Sequence, residues 1–235
     1  MRVVFLGTGE AFGTKPNTSL LVNGEVLLEC GPHTLLQLRR AGAELNRIKL
    51  VVLSHLHGDH FLGMPALLLA SREDGREETL RVLGPEGTEQ AVRELLMLSY
   101  RRQIEALGYG VEFLPPERGR LEGYSLDFCS TVHGVETVCV SLERDRKLVY
   151  LCDGVPGEGC VELARGAHLL VAEAYSARGK LHSSPEIAAE LAAKAGAGKL
   201  ALVHLYRGID EEELERASRI FPEVFVPGEL EEVEV

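Results

Sequence analysis

The chain has 235 residues, of which 45% are hydrophobic and 26% are charged, proportions typical of a globular protein with a substantial core. Its formal net charge of −11 disfavours extended binding along a nucleic-acid backbone, which usually requires a basic surface. The strongly apolar stretch 61–70 is too short to span a bilayer, and the N-terminus lacks the apolar region of a signal peptide. We therefore expect a cytoplasmic protein.

The first half of the chain alternates strand, turn and helix signals, with Gly and Pro residues at the turns. The helix near residue 90 has Thr88 as its expected N-cap. The elements predicted there are a first strand over 1–7, further strands up to the Gly-Pro turn at 31–32, a helix over 34–41, a buried strand over 48–53, a helix start over 65–71, a strand over 81–83 and a helix over 88–101.

The second half is richer in strands. The elements predicted there are strands within 111–151, helices over 159–165 and 185–195, and a last core strand over 200–204. The later helix is expected to have Ser183 or Ser184 as its cap and to end at Gly196. Strands and helices thus occur in two successive sets without a sequence repeat, which favours an α/β (α+β) protein with two sheets packed face to face and helices outside. We expect one domain over 1–235.

The most informative segment is Ser54-His55-Leu56-His57-Gly58-Asp59-His60, directly after the buried strand over 48–53. Imidazole and carboxylate groups suit zinc and other borderline divalent metals. His55 and His57 alternate, so on an extended backbone they point the same way, whereas Asp59 and His60 follow as the chain turns. Four ligand candidates in so short a stretch indicate two metal ions. The alternative is a polar loop in which Asp59 is a helix N-cap.

Three further ligand candidates, His133, Asp153 and His204, each follow an apolar run. The carboxyl ends of such strands are where ligand sites gather in layered α/β folds. The count suffices for two ions bridged by Asp153. The predicted ligand sets are His55, His57 and His133 for one ion and Asp59, His60 and His204 for the other. The donors favour zinc, although manganese or iron can occupy the same set.

This ligand pattern resembles that of the metallo-β-lactamase superfamily. Within it the chain is most similar to the ribonuclease Z group of metal-dependent phosphodiesterases, over almost its whole length. The resemblance implies the four-layer αββα sandwich of the metallo-β-lactamase fold, with the metals at one edge, and it suggests a homodimer. The other segments that carry the resemblance are 5–12, 28–31, 61–65, 82–85, 172–174 and 182–184.

Phosphodiester hydrolysis needs a nucleophile, charge neutralisation and a proton for the leaving oxygen. A metal-bridging hydroxide and the two cations would supply the first two, with Asp59 also orienting or deprotonating the water. His182 is the candidate acid, since imidazole can donate a proton near neutral pH, and Glu173 is a candidate for holding or tuning it. His182 matches the ribonuclease Z histidine that is thought to assist the leaving group.

The chain also departs from the ribonuclease Z pattern. Glu29 stands where the group has an aspartate, and Ala172 where it has a histidine. Only 19 residues separate His133 from Asp153, where ribonuclease Z enzymes carry a long arm that grips tRNA. The short connection and the acidic charge favour a small or locally recognised phosphodiester, such as a cyclic nucleotide, a cyclic phosphate or a short RNA end.

Several other functions remain open from the sequence. One is tRNA 3′-processing endonuclease activity without the arm, and another is hydrolysis of an aryl sulfate, thioester or lactone, because one metal centre serves many esters. Redox chemistry is disfavoured because di-iron relatives tend to carry glutamate at the position of His57. A non-enzymatic binding module is disfavoured because all seven ligand candidates are present.

The remaining cysteines and histidines carry weaker signals. Scattered cysteines, odd in number and without a Cys-x-x-Cys pair, disfavour a disulfide framework or a cysteine-based zinc site. Cys30 and Cys152 stand next to acidic residues expected near the metals, and we expect these two to be small buried packing residues, with a weak redox sensitivity left open. His33 is expected at the surface, and His168 is expected to be structural. The cysteines are Cys30, Cys129, Cys139, Cys152 and Cys160.

Overall fold

The computed structural model describes residues 1–175, 181–207 and 211–235, and within them the strands form two seven-stranded sheets. The strands of the first sheet are β1 (Arg2–Gly7), β2 (Ser19–Val22), β3 (Val26–Leu28), β4 (Leu50–Val52), β5 (Leu80–Leu83), β6 (Val111–Leu114) and β14 (Glu231–Glu234). Those of the second are β7 (Gly119–Leu121), β8 (Tyr124–Cys129), β9 (Cys139–Glu143), β10 (Lys147–Leu151), β11 (Leu169–Glu173), β12 (Lys199–Val203) and β13 (Val224–Phe225). The strand orders are β14-β1-β2-β3-β4-β5-β6 and β13-β12-β11-β10-β9-β8-β7.

Helices lie outside the two sheets. The α-helices are α1 (Thr34–Arg40), α2 (Gly58–Phe61), α3 (Met64–Glu73), α4 (Thr88–Tyr100), α5 (Glu158–Ala164), α6 (Pro185–Ala195) and α7 (Glu211–Ile220), with short 3₁₀ turns at Leu45–Arg47 and Ile104–Ala106. None of the helices in the described parts of the chain is long and apolar enough to cross a membrane.

Strand β1 shows how the layers form. Successive side chains of a strand point to opposite faces. Val3 and Phe5 accordingly pack in the core shared with the second sheet, where the Phe5 ring meets Phe225 edge-on at 6.4 Å between ring centroids. Val4 and Leu6 pack in the other core, against the helices of the first half. Because both faces are covered, the strand is apolar along most of its length. The result is the four-layer αββα sandwich predicted from the sequence.

The structure confirms most of the predicted elements. Helix α6 has the expected bounds, with the Ser184 hydroxyl accepting a hydrogen bond from the Ile187 amide and Gly196 left-handed at the C-cap. The short connection between His133 and Asp153 contains β9 and β10, which pair antiparallel as a hairpin. That 1–235 is one domain stays a prediction.

One prediction is wrong. The N-cap of α4 is Gly87, which has φ +86°, and Thr88 is the first helical residue, its hydroxyl donating to the Pro85 carbonyl. Two strands that the sequence did not indicate, β13 and β14, follow the predicted last core strand, and their residues are partly buried or exposed. Strand β14 pairs antiparallel with β1, and its Glu231 and Glu232 are exposed. An edge strand rich in glutamate lacks the apolar pattern by which strands are recognised.

The sheets bring distant loops to one edge. Strands β10, β11 and β12 run parallel to one another, so their carboxyl ends lie side by side. Asp153, Glu173 and His204 lie at these ends. In the first sheet β4 is parallel to β3 and β5, and its carboxyl end leads into the histidine-rich segment. The edge where the two sheets meet therefore gathers the chemistry-bearing residues.

Candidate metal centre

The first predicted ligand set comes together at the end of β4. The Nδ1 atom of His57 lies 3.1 Å from Nε2 of His55 and 3.3 Å from Nε2 of His133. His133 donates its Nδ1–H to the Leu181 carbonyl at 2.9 Å, which leaves Nε2 as its lone-pair nitrogen. Three imidazole nitrogens thus face one point, although 76 residues separate His57 from His133.

The second predicted set lies beside the first. Oδ2 of Asp59 is 3.2 Å from Nε2 of His60 and 3.2 Å from Nε2 of His204. Asp153 lies between the sets, with its carboxylate oxygens 3.6 Å from Nε2 of His60, 3.3 Å from that of His204 and 3.9 Å from that of His55. Candidate ligand atoms of His55, His57 and His133 lie within 4.8 Å of one another, as do those of Asp59, His60 and His204, and Asp153 contacts members of both groups. That these residues bind metal ions stays a prediction.

Backbone contacts hold His204 in an unusual conformation. This residue has φ +54°, which non-glycine residues adopt rarely, and its amide donates to the Thr8 carbonyl at 2.8 Å. The first turn of the chain thus fixes the orientation of a histidine near its other end. Strained backbone of this kind concentrates at functional sites, where the surrounding structure over-determines it.

Burial and neighbouring charges shift the pKa values of the buried groups in the site. Burial lowers the pKa of the His55 imidazole to about 2, and His60 adds to the effect. Burial opposes ionisation of Asp59 and Asp153, yet the adjacent histidines, His204 first, hold both pKa values well below their usual range. Burial also disfavours a charged His204, but Asp153 and Asp59 raise its pKa to about 10. The carboxylates and the histidines thus favour each other's charged forms, and bound cations would take the place of the imidazole protons.

Unpaired polar atoms show that the residues fit a metal. Among the described residues, both ring nitrogens of His60 and Oδ1 of Asp153 are buried without a hydrogen-bond partner. Buried polar atoms left unpaired are costly, so a cluster of them indicates an absent partner. Neutral imidazole nitrogens and carboxylate oxygens form a donor set suited to zinc.

A second layer of groups orients the candidate ligands. Oε1 of Glu29 lies 3.4 Å from Nδ1 of His60, and Oε2 accepts the Ser54 amide at 3.1 Å. Ser54 in turn contacts Nδ1 of His55 through its hydroxyl at 2.8 Å. Carboxylates behind ligating histidines fix the ring orientation and raise its basicity. Glu29 thus lies behind His60 without a hydrogen bond to it, and the Ser54 amide fixes its carboxylate.

Glu173 and His182 form a contacting pair at the side of the centre. Oε1 of Glu173 accepts a hydrogen bond from Nδ1 of His182 and lies 3.4 Å from Nδ1 of His204. Its Oε2 accepts the amides of Gly154 at 2.7 Å and Ser183 at 3.0 Å, which fixes the carboxylate. Burial lowers the pKa of His182, but the bond to Glu173 outweighs this and raises it.

An open cleft of about 570 Å³ leads to these groups. Its walls include His57, Asp59, Asp153, His182 and His204, together with residues that sequence reasoning had not assigned. The Tyr175 ring stacks on His182 with 4.4 Å between centroids and 24° between planes, and Phe12, which also lines the cleft, is 84% exposed. No sequence spacing signalled these aromatics, because each stands alone in its segment.

The two remaining histidines lie where they were expected. His33 is exposed, at the rim of the cleft, with Nδ1 2.7 Å from Oδ1 of Asn17. His168 accepts the Lys147 amide through Nδ1 at 3.2 Å and lies outside the cleft. His168 therefore provides a natural control for histidine substitutions at the centre.

Comparison with known proteins gives one family and a consistent fold. The sequence model of the family described as "Anti-Pycsar protein Apyc1" matches residues 1–221. A ribonuclease Z of Ignicoccus hospitalis is 32% identical over 264 aligned positions, covering 88% of this chain and 87% of that protein. That alignment is longer than the 235-residue chain, so the relative carries insertions.

Two solved structures share the fold. The metallo-β-lactamase-fold protein YhfI of Bacillus subtilis has a TM-score of 0.83 at 21% identity, covering 99% of this chain and 98% of that one. The short form of human tRNase Z, ELAC1, has a TM-score of 0.80 at 24% identity, covering 100% of this chain and 99% of that one. At such identities the likeness establishes the fold alone.

Proposed function

We infer that this chain, which belongs to the family described as anti-Pycsar protein Apyc1, cleaves small or locally recognised phosphodiesters. The chain is a ribonuclease Z-like member of the metallo-β-lactamase superfamily and a metal-dependent phosphodiester hydrolase. The observation that carries this proposal is the pair of adjacent ligand sets at the floor of an open cleft. A cleft of about 570 Å³ falls in the range that encloses a molecule of nucleotide size.

In the proposed centre His55, His57 and His133 hold one cation, Asp59, His60 and His204 hold a second, and Asp153 lies between them. When bound, the two cations would supply Lewis-acid activation of water and charge neutralisation of the phosphate. We propose zinc as the metal, because imidazole nitrogens outnumber the carboxylates in the set. Asp59, whose Oδ2 faces both His60 and His204, is placed to orient the attacking water.

His182 is the proposed proton donor to the leaving oxygen. Its Nδ1–H is held by Glu173, so Nε2 is the ring nitrogen available to the cleft. The raised pKa keeps a larger fraction of the ring protonated near neutral pH, as a general acid requires. Glu173 is the positioning residue, since its other oxygen is fixed by two backbone amides.

The substrate class follows from the rim of the cleft. Phe12, which is 84% exposed, offers an aromatic face on which a base can stack, a contact that tolerates any base, and the ring edge of Tyr175 lies in the same cleft. The β9–β10 hairpin is too short to reach far beyond the domain surface, and the net charge is −11. Both features favour a nucleotide-sized diester, with cyclic nucleotides as the first class to test.

Processing of tRNA 3′ ends is the second candidate, favoured by the 32% identity to a ribonuclease Z. It would require RNA to be gripped without a long arm. A pre-tRNA substrate in the same assay panel separates the two candidates. A cytoplasmic location and a homodimer stay predictions, testable by fractionation and by light scattering.

The test combines metal content with turnover. Metals are counted by mass spectrometry, and hydrolysis of bis-p-nitrophenyl phosphate and of a cyclic nucleotide panel is measured before and after chelation. About two metals per chain, with activity lost on chelation and in Asp59→Ala, support the proposal. Asp145→Ala is the matched control, because that aspartate lies on the surface with its side chain 67% exposed.

Two outcomes would contradict the proposal. Two bound metals without cleavage of any phosphodiester would indicate a sulfate, thioester or lactone substrate instead. If freshly purified protein holds no metal and takes none up, the chain has no metal centre and the proposal is wrong.

A further inference from the structure

Four of the five cysteines lie together, outside the candidate metal centre. Cys129 ends β8 and Cys139 begins β9, where the two residues are directly opposite in the antiparallel register. Cys152 follows β10, and Cys160 lies in α5, which packs against these strands. Cys30 is the exception, since it follows β3 in the other sheet. Sequence spacing could not reveal this cluster, because its members come from four separate elements.

The sulfur atoms are within reach of one another. Sγ of Cys129 lies 3.5 Å from Sγ of Cys160, and Sγ of Cys139 lies 3.5 Å from Sγ of Cys152. The sulfurs of Cys129, Cys139 and Cys160 all lie within 4.8 Å of one another. Since a disulfide needs about 2.0 Å between sulfurs, a small side-chain rotation would join the Cys129 and Cys160 sulfurs.

Access and ionisation differ across the cluster. Cys139, Cys152 and Cys160 are buried to within 1% of full burial, whereas Cys129 is only partly buried. Hydrogen bonds from Cys129 and Cys139 lower the pKa of the Cys160 thiol. The pair therefore combines a sulfur that a small oxidant can reach with a buried sulfur beside it that can react with its oxidised form.

Burial decides between the two kinds of chemistry open to such a cluster. A divalent cation held by three thiolates would place a net negative charge in this core, where Cys139 and Cys160 pack among apolar side chains. A disulfide is neutral and leaves no charge behind. The apolar surroundings thus favour covalent oxidation over a soft-metal site.

We propose that Cys129 and Cys160 form a reversible disulfide on reaction with a hydroperoxide. The Cys129 sulfur attacks the peroxide, so that the O–O bond breaks, the departing alkoxide leaves as an alcohol with the Cys129 proton, and Cys129 becomes a sulfenic acid. The Cys160 sulfur then attacks the Cys129 sulfur and displaces hydroxide, which leaves with the thiol proton as water. Two thiols are oxidised by two electrons, and one hydroperoxide becomes an alcohol and water.

The crosslink would tie together the two loops that flank the candidate centre. Cys129 precedes His133 by one short loop, and Cys160 follows Asp153 by another, and these loops already contact each other through the Val132–Val155 bridge. The bond closes a span of 31 residues. Restricting the unfolded chain over a span of that length is expected to raise Tm by about 5–10 °C.

The test uses the full chain, reduced and metal-loaded, treated with cumene hydroperoxide, then denatured and alkylated for mass spectrometry. The expected result is three labelled cysteines instead of five, a linked Cys129–Cys160 peptide, a higher Tm and full reversal by dithiothreitol. Cys160→Ala should abolish the loss of label and the Tm shift. Cys30→Ala is the matched control, which should keep both.

If a variant fails to fold, mass spectrometry of the oxidised and alkylated wild-type protein is sufficient to test the proposed disulfide. Five labelled cysteines after oxidant, or a crosslink confined to another pair or between chains, would overturn the proposal. So would a zinc or copper ion held by the reduced protein and lost in Cys129→Ser, because the cluster would then be a metal site.

Discussion

Replacing His182 by asparagine gives the sharpest test of the proposed chemistry. The asparagine amide can still donate to Glu173, whose carboxylate is held by the Gly154 and Ser183 amides, but it cannot deliver a proton. Proton transfer by a positioned side chain contributes about 10²–10⁴-fold to a rate, which is about 3–5 kcal/mol of barrier. We expect His182→Asn to lose activity in this range on a diester whose leaving group is an alkoxide.

The choice of leaving group separates a general-acid role of His182 from other causes of a lower activity. p-Nitrophenolate departs without a proton, so His182→Asn should lose less than about tenfold on bis-p-nitrophenyl phosphate. Steady-state kcat on both substrates, with metal content measured in parallel, checks this difference. His168→Asn is the matched control, because that histidine bonds only a backbone amide outside the cleft. Equal losses on both substrates, with two metals retained, would refute the role of His182 as a general acid.

Other consequences follow from the same contacts. Glu173→Gln removes the carboxylate charge that raises the pKa of His182. Burial should then lower that pKa and move the alkaline limb of the kcat–pH profile to lower pH, and an unmoved limb would contradict the pairing. Asp153→Asn should reduce bound metal below two per chain by mass spectrometry, since its oxygens face both ligand sets; unchanged loading would exclude a bridging role. Phe5→Ala removes a fully buried ring and should lower the free energy of unfolding by about 3–5 kcal/mol, or Tm by about 6–20 °C. Phe12→Ala, at a position 84% exposed, should change Tm little, and equal shifts by calorimetry would contradict the packing described.

Local pattern made much of the fold predictable. Strands such as β4 and β12 are short apolar runs buried on both faces, and helix α6 carries a serine cap, a proline in its first turn and a terminal glycine. Each signal lies within a few residues, so the sequence alone predicted these elements. Strand β14 escaped detection because its pairing with β1 comes from an exposed edge rather than from an apolar face.

The candidate ligands were predictable for a related reason. His55, His57, Asp59 and His60 follow one buried strand, and the other candidates also stand directly after apolar runs. In layered folds strand ends of this kind converge on one edge, so position along the chain implied position in space. The structure places these strand ends at one edge, whereas the role of the residues as metal ligands stays a prediction.

By itself, the sequence determined the two successive sets of strands, the candidate ligands and the short connection between His133 and Asp153. Only the tertiary structure placed Tyr175 on His182 and Cys129 against Cys160. The physical reason is the distance along the chain over which each interaction acts. Burial and capping act through neighbours along the chain, whereas contacts between side chains of separate elements depend on sheet order, register and helix packing, which no local pattern encodes.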